Sequence, residues 1–453
     1  MTAPARTAAY RALVDVASLR VDLPTALAQT RTILSDDRDR ALAADIVAGT
    51  LRWQRALDFL VSHFAGRPLH RLDESVATIL RLSLYQLAHL DRVPASAVVD
   101  DAVDLTRAAR KRSATGFVNA VLRTAVRRRG SWPLPARPAD PADHPAALAY
   151  LGITHSHPDW LIERWLARHG FEATERAVTF NNTTPPLTLR ANRLRTTREA
   201  LAAALDGDDV TTVPTGHAPD GLVVTSGRPL ARGGVSAGGL FVVQDEASQL
   251  VPLAVDARPG LRVLDLCAAP GGKTTAMAAA MEDRGLLVAC DARGPRVALL
   301  RDTVAASGAR CVRIAHVDTD GAVPFAPVFD RVLVDAPCSG LGTIRRDPDI
   351  RWRRTAGDLP ALAAAQRRLL ARAAAVVAPG GRLVYATCSS EPEENEDVVE
   401  AFLNDHPTFG RLDLRTDGHP ALQGLTDARG CLHTLPFAHG LEGFFAAALV
   451  RRT

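Results

Sequence analysis

Leu264-Asp265-Leu266-Cys267-Ala268-Ala269-Pro270-Gly271-Gly272-Lys273-Thr274-Thr275 is the stretch around which the rest of the chain is organised. The apolar run Arg262 to Leu266 predicts a short buried strand, and the helix formers from Thr274 to Met281 predict a helix after it. Between them lies a tight turn whose two glycines let the backbone approach a ligand closely. The unpaired amides at the start of the following helix suit a carboxylate, so the natural guest is a nucleotide-type cofactor. A bare Gly-Gly also serves an ordinary β-α turn, and the residues downstream must decide between the two. The turn lacks the G-x-G-x-x-G spacing of a dinucleotide site, which disfavours a dehydrogenase.

From Leu240 onward, strand and helix alternate. Strands are expected over 286–291, Cys311 to Asp318, Phe329 to Asp335 and Gly381 to Ser389, with helices over Pro295 to Ala306 and Leu359 to Val377. That rhythm predicts an α/β domain, a parallel sheet covered on both faces with its ligand at the carboxyl ends of the strands. Gly443 to Val450 reads as one more buried strand. Asp291, Asp318 and Asp335 close successive strands, and an acid in the place of Asp291 can bond ribose hydroxyls. Cys338 and Cys388 each fall just past a strand end. A single buried cysteine is usually inert. Two of them at neighbouring strand ends, beside a cofactor turn, argue for chemistry.

Upstream, Thr7 to Arg129 carries apolar residues at helical spacing, broken near Pro24, Gly66, Pro94 and Gly116, which predicts a compact all-α domain. Five prolines between Ser131 and Pro145 mark a semi-extended linker, and His157 to Ile162 should begin a short amphipathic helix. His155 and His157 are expected on a loop as solvent-facing or capping residues, because no third metal ligand is near. Leu187 to Ser236 reads as a small α+β insert. Its Arg190, Arg193, Arg195 and Arg198 suit either RNA phosphates or an ordinary charged face. The expected domains are therefore 1–130, a linker over 131–158, an RNA-positioning region over 159–239 and a catalytic domain over 240–453.

The 453 residues, 47% hydrophobic and 23% charged, leave room for several domains and fit a globular chain. No apolar run reaches the ~18 residues of a membrane span and the N-terminus carries no signal-peptide pattern, so no membrane association and a cytoplasmic location are expected. Six cysteines without a C-x-x-C pair make a disulfide framework or a metal site unexpected. Residues 1–131 hold 20 basic against 13 acidic residues while the remainder is slightly acidic, which points the N-terminal third towards a polyanion. Lys111 and Lys273 are the only lysines among 54 basic residues, so the one in the glycine turn hints at a need for a compact ammonium.

The run ILRLSLYQLAHLDRVPASAVVDDAVDLTR, followed by GFVNAVLR, resembles the NusB-type RNA-binding helical domain. CAAPGGKT, DAPCSGLG and ATCSS followed by EPEENE resemble the RNA (cytosine-5) methyltransferases that use S-adenosylmethionine. The helical domain in front narrows this likeness to the Sun/Fmu type acting on small-subunit ribosomal RNA. The resemblance implies a Rossmann-like catalytic domain whose turn of Cys267, Ala268, Ala269, Pro270, Gly271, Gly272 and Lys273 holds the methionine end of S-adenosylmethionine. It further implies Asp291 for the ribose, Asp318 for the adenine amino group and Asp335 facing the target base. Cys388 is implied as nucleophile and Cys338 as the group assisting product release. Apart from the resemblance, the place of Lys273 in the turn leads us to expect that it adds positive charge or positions the base. The implied partner of a monomeric enzyme is 16S ribosomal RNA, naked or in an early particle. The same chemistry on transfer RNA, and a non-catalytic RNA-binding assembly or antitermination factor, are the competing expectations.

Overall fold

The computed structural model describes residues 3–229, 238–318, 321 and 323–453, so the end of the α+β insert expected up to Ser236 lies outside the described residues. The chain forms two compact units: Met1–Thr184 with Ile344–Ala356, and Pro185–Thr343 with Gly357–Thr453.

In the first unit, helices run over Pro4–Ala17, Leu23–Ile33, Asp37–Arg52, Gln54–Ala65, Glu74–His89, Ala95–Ala108 and Thr115–Arg127. Three of them start where an aspartate can satisfy a free backbone amide, with Asp22, Asp36 and Asp73 accepting from Thr25, Arg38 and Ser75. Glu74–His89 is apolar nearly all round, burying Val76, Ile79, Leu80, Leu82, Leu84 and Leu87, and is the central helix of this core.

Beyond it the structure corrects three expectations. The linker over 131–158 is irregular only to about Asp143; His144–Ala149 is helical and runs into a π-turn, Tyr150–Thr154. The helix after Pro158 is no short piece but extends over Asp159–Asn182, broken at Gly170. His157 does not face solvent: it is fully buried, its Nδ1 2.7 Å from the His155 carbonyl and its Nε2 3.3 Å from Asn181. The proline count had signalled an open chain, but apolar Ala147, Leu151, Leu161 and Ile162 supply enough burial to fold it.

Residues 344–356 complete this unit, although in sequence they lie between the Cys338 and Cys388 motifs. The Trp352 indole donates to the Leu51 carbonyl at 2.6 Å. Arg351, 1% exposed, donates to the Ser156 carbonyl (2.8 Å), Asn182 Oδ1 (3.0 Å) and the carbonyls of Arg52 and Asn181 (both 3.3 Å). Burial, together with the charge of Arg52, pulls its pKa well below the usual guanidinium range.

The second unit opens with strands β1 (Thr188–Ala191), β2 (Thr211–Pro214), β3 (Gly221–Ser226) and β4 (Phe241–Val243), an antiparallel sheet in the order β2-β3-β1-β4. The main sheet contains β5 (Arg262–Asp265), β6 (Leu286–Asp291), β7 (Val312–His316), β8 (Phe329–Asp335), β9 (Val377–Thr387), β10 (Phe409–Arg411), β11 (Leu432–Thr434) and β12 (Phe444–Arg451). Its order is β10-β12-β9-β8-β5-β6-β7, with β11 paired to β12. Strands β5 to β9 pair in parallel, as the alternation predicts. β10, β11 and β12 join antiparallel, so the sheet is mixed rather than wholly parallel. Only the short connection from β11 to β12 reverses the chain; the last strand then enters between β9 and β10 against the direction of both, and an antiparallel edge results.

The four arginines of the insert do not form one basic face. Arg190 is buried and donates to Thr275 Oγ1 at 2.8 Å; burial pulls its pKa to about 10 against the opposing charge of Asp220. Arg195 donates to the Ser307 carbonyl at 3.0 Å, Arg193 lies 3.6 Å from Asp220 and Arg198 3.0 Å from Glu199. Arg190 and Arg195 thus anchor the small sheet to the catalytic sheet's flanking helices.

Candidate active site

β5 ends at Asp265, and the backbone then crosses the carboxyl edge of the sheet. The Leu266 amide bonds to the Leu333 carbonyl at 3.0 Å and the Ala268 amide to the Cys290 carbonyl at 2.8 Å, which fixes the turn between β8 and β6. Gly271 has φ 107°, and a Cβ there would meet Leu300 and Thr303 at 3.0–3.2 Å. Glycine is therefore needed on both conformational and steric grounds. The helix Gly272–Ala280 begins directly after it.

Asp291 closes β6 as expected and faces this turn. Its carboxylate takes the Ala269 amide (3.4 Å), the Arg293 amide (3.1 Å) and the Arg296 guanidinium (3.2 Å). Arg296, which the sequence reading missed, also donates to the Ala269 carbonyl. Asp318 does not close its strand: β7 ends at His316 and Asp318 lies two residues on, exposed, next to Val317, whose amide bonds to the Asp291 carbonyl.

Asp335 closes β8 and pairs with the Lys273 ammonium at 2.7 Å. Burial alone would lower the Lys273 pKa, but the charge and hydrogen bond of Asp335 outweigh it and keep the amine above its ordinary value. Lys273 Nζ also lies 5.5 Å from the Phe444 ring centroid. The compact ammonium expected at this position is thus held charged at the strand ends.

Cys338 and Cys388 come together with their sulfurs 3.4 Å apart, both half-buried. A hydrogen bond to Cys388, then burial, pushes the Cys338 thiol well up, so Cys338 keeps its proton and can donate it to the Cys388 sulfur. Cys267, Cys290, Cys311 and Cys431 are raised chiefly by burial and further by nearby carboxylates, Cys290 and Cys431 to about 12, which suits inert packing. Gly342 is a close-approach point: its amide bonds to the Cys388 carbonyl at 2.9 Å and its carbonyl takes the Gly443 amide at 2.8 Å. A Cβ there would collide with both partners.

Asp265 was read as part of the strand alone, yet it is 1% exposed, accepts from Thr274 Oγ1 at 2.7 Å and leaves Oδ1 without a partner. Burial raises its pKa to about 7; Asp335 and Asp291 add to this, while Thr274 and Lys273 oppose it. Three acids and one lysine thus feel one another's charge where a cofactor's ammonium or sulfonium could bind. A carboxyl that gains charge on unfolding destabilises the native state as pH rises between about 4 and 7. We expect the ligand-free protein to lose on the order of 2–3 kcal/mol more stability than Asp265→Asn between pH 5 and pH 8, seen as a larger fall in its melting temperature. Parallel melting curves for the two proteins would contradict this.

Comparison with known proteins gives concordant matches. The family described as 16S rRNA methyltransferase RsmB/F matches residues 252–450, the NusB family residues 3–127, and an RsmF/B-like ferredoxin-like domain residues 157–231. A probable ribosomal RNA small subunit methyltransferase B from Synechocystis sp. is 36% identical over 91% of each chain. The ribosomal RNA small subunit methyltransferase B of Pseudomonas putida is 36% identical over 98% of each chain. A solved structure of a methyltransferase homolog protein from Pyrococcus horikoshii is 27% identical, covers 68% of this chain and 99% of its own, and superposes with a TM-score of 0.58.

Proposed function

Because this chain belongs to the RsmB/F family of 16S rRNA methyltransferases, we propose that it methylates carbon 5 of a cytosine in 16S ribosomal RNA through a covalent adduct with Cys388. The observation that carries this reading is the pair of sulfurs 3.4 Å apart at the same strand ends as the Lys273–Asp335 ion pair.

The cofactor of the family is S-adenosylmethionine, which when bound supplies an electrophilic methyl group on a sulfonium. The residues here fit it: a tight glycine turn, an acid-rich surround and the unpartnered buried Oδ1 of Asp265 suit a cationic amino-acid nucleoside. We assign the backbone of Cys267 to Lys273 and the Asp265 carboxyl to its methionine end, Asp291 to the ribose and Asp318 to the adenine.

Carbon 5 of cytosine is a weak nucleophile until something adds to carbon 6. The Cys388 thiolate forms the C6–S bond, and the electron pair of the 5,6 double bond moves into the ring towards N3. Asp335 and Lys273 meet that charge, the pair delivering a proton to N3 while Asp335 accepts from the exocyclic amine. After carbon 5 has gained the methyl group, its proton must leave, and the C6–S bond then breaks as the N3 proton returns to the Lys273–Asp335 pair, restoring the double bond and the thiolate. Cys338 is the base assigned to that proton. Its own proton is held chiefly by the hydrogen bond to Cys388. Once the Cys388 sulfur becomes a neutral thioether, a weak acceptor, the larger part of this hold is relaxed, and Cys338 is assigned to ionise and act at that point. Access from both faces requires an unstacked base, so single-stranded or flipped cytosine is the substrate form.

Purified protein, incubated with S-adenosylmethionine and either a 16S transcript or a pool of unmodified transfer RNA, tests the proposal. We expect 5-methylcytosine in the 16S transcript alone. Labelling of the transfer RNA pool would move the substrate assignment, and methyl groups appearing on nitrogen or ribose would end the cysteine-adduct chemistry.

A further inference from the structure

Both reactive-thiol loops converge on one carboxylate that no role described so far requires. Glu394, in the EPEENE stretch, is fully buried in the single turn Pro392–Glu394. Its Oε1 accepts from the Ser339 amide (2.8 Å) and Gln366 Nε2 (2.9 Å). Its Oε2 accepts from the hydroxyls of Ser339 and Ser389, both at 2.5 Å. Ser339 directly follows Cys338, and Ser389 directly follows Cys388.

The neighbouring groups extend the same clamp. Gln366 Nε2 also reaches the Pro337 carbonyl at 3.0 Å, so the residues on both sides of Cys338 are held. Asn395 Oδ1 accepts from Thr387 at 2.5 Å and its Nδ2 donates to the Ser389 carbonyl at 2.9 Å, so both sides of Cys388 are held as well. Tyr385 fixes the clamp's backbone by donating to the Glu394 carbonyl at 2.6 Å. A carboxylate offers about four acceptor sites and no donor. Here four donors fill them, and hydrogen bonds to a buried charge are the strong kind.

We propose that Glu394 is a positioning residue that sets the separation of the Cys338 and Cys388 sulfurs by binding the residue after each. The inference rests on the two-thiol reading above and deepens it. A glutamine at 394 has the same size, but its amide accepts at one edge only. Turned one way, its N–H meets the Ser339 amide and Gln366 Nε2, which cannot accept from it. Turned the other way, it forces the Ser339 and Ser389 hydroxyls, already accepting from the Leu341 and Glu391 amides, to turn their protons away. The two loops would then part slightly, and a displacement of about 1 Å at a reacting group can cost on the order of 100-fold. Proton removal from carbon 5, which needs both sulfurs on one base, suffers most; addition of Cys388 to carbon 6 suffers least.

The test compares wild type and Glu394→Gln on ordinary 16S transcript and on transcript carrying 5-fluorocytidine, whose fluorine cannot leave carbon 5 as a proton does, so the adduct is trapped before release. Wild-type trapping on the fluorinated RNA checks the underlying chemistry: its absence overturns the adduct reading and this inference together. With trapping present, Glu394→Gln should turn over ordinary RNA at least about tenfold more slowly with KM within about twofold. It should accumulate a covalent protein–RNA band on ordinary RNA and still trap fluorinated RNA at a rate near wild type. Unchanged turnover, or addition and release slowed equally with no band, overturns the inference. A purely structural role would lower the folded fraction and the band together. If Glu394→Gln does not fold, judged by melting and by S-adenosylmethionine binding, the Ser339→Ala/Ser389→Ala double variant, which removes the two hydroxyl donors, is held to the same criteria.

Discussion

Replacing Cys338 by alanine should leave the protein joined to its RNA. With the base for the carbon 5 proton removed, methyl transfer still proceeds but the C6–S bond cannot break, so a slow-migrating species appears on a denaturing gel and turnover falls on the order of 10²- to 10⁴-fold. Cys388→Ala should give no such species and lose turnover by about three orders of magnitude or more, since the bond that activates carbon 5 never forms. Neither change should alter affinity for S-adenosylmethionine, because neither thiol is assigned to holding it. The raised Cys338 thiol keeps its proton 3.4 Å from the Cys388 sulfur, and the two sulfurs are assigned different steps. A covalent species in Cys388→Ala and none in Cys338→Ala would reverse the two assignments.

Arg351→Met should be among the most destabilising single changes in the first unit, costing about 2–4 kcal/mol. The guanidinium fork ends the carbonyls of Arg52, Ser156 and Asn181 and the side chain of Asn182 at once. Methionine fills the volume and removes the cost of a buried charge, yet leaves those acceptors dry and unpaired, and this loss dominates. Arg351→Lys should rescue little, because a single ammonium cannot span acceptors arranged for a planar fork. Denaturant unfolding followed by far-ultraviolet circular dichroism measures the effect. A midpoint equal to wild type in Arg351→Met would refute the account.

The parts of the fold carried by local pattern were legible. Strand, glycine turn and helix over 262–280 follow from apolar run, Gly-Gly and helix formers in immediate succession, and the parallel strands follow from alternation. What escaped depended on distant residues. Asp265 looked like the polar end of a strand; its burial, its bond from Thr274 and the charges of Asp335 and Asp291 around it come from folding, not from local pattern. Arg351 sits in the arginine-rich run Ile344 to Arg354, and only its partners 169 to 299 positions away make it a core residue. Glu394 lay in plain view in an acidic motif, but its bond to Ser339 spans 55 residues and no spacing rule announces it. The antiparallel edge was missed because β12 is as uniformly apolar as a central parallel strand.

The placement of Ile344–Ala356 with the N-terminal helices has a practical corollary for dissecting the molecule. The polypeptide crosses from one body to the other three times, after Thr184, after Thr343 and after Ala356, so no single scission yields two self-sufficient halves. Discarding the first 184 residues would strip Trp352 and Arg351 of the carbonyls they cap and leave thirteen residues homeless, immediately downstream of the Cys338 loop. The helices are thus woven into the enzyme, and a swap or deletion of them has to carry this inserted strap along.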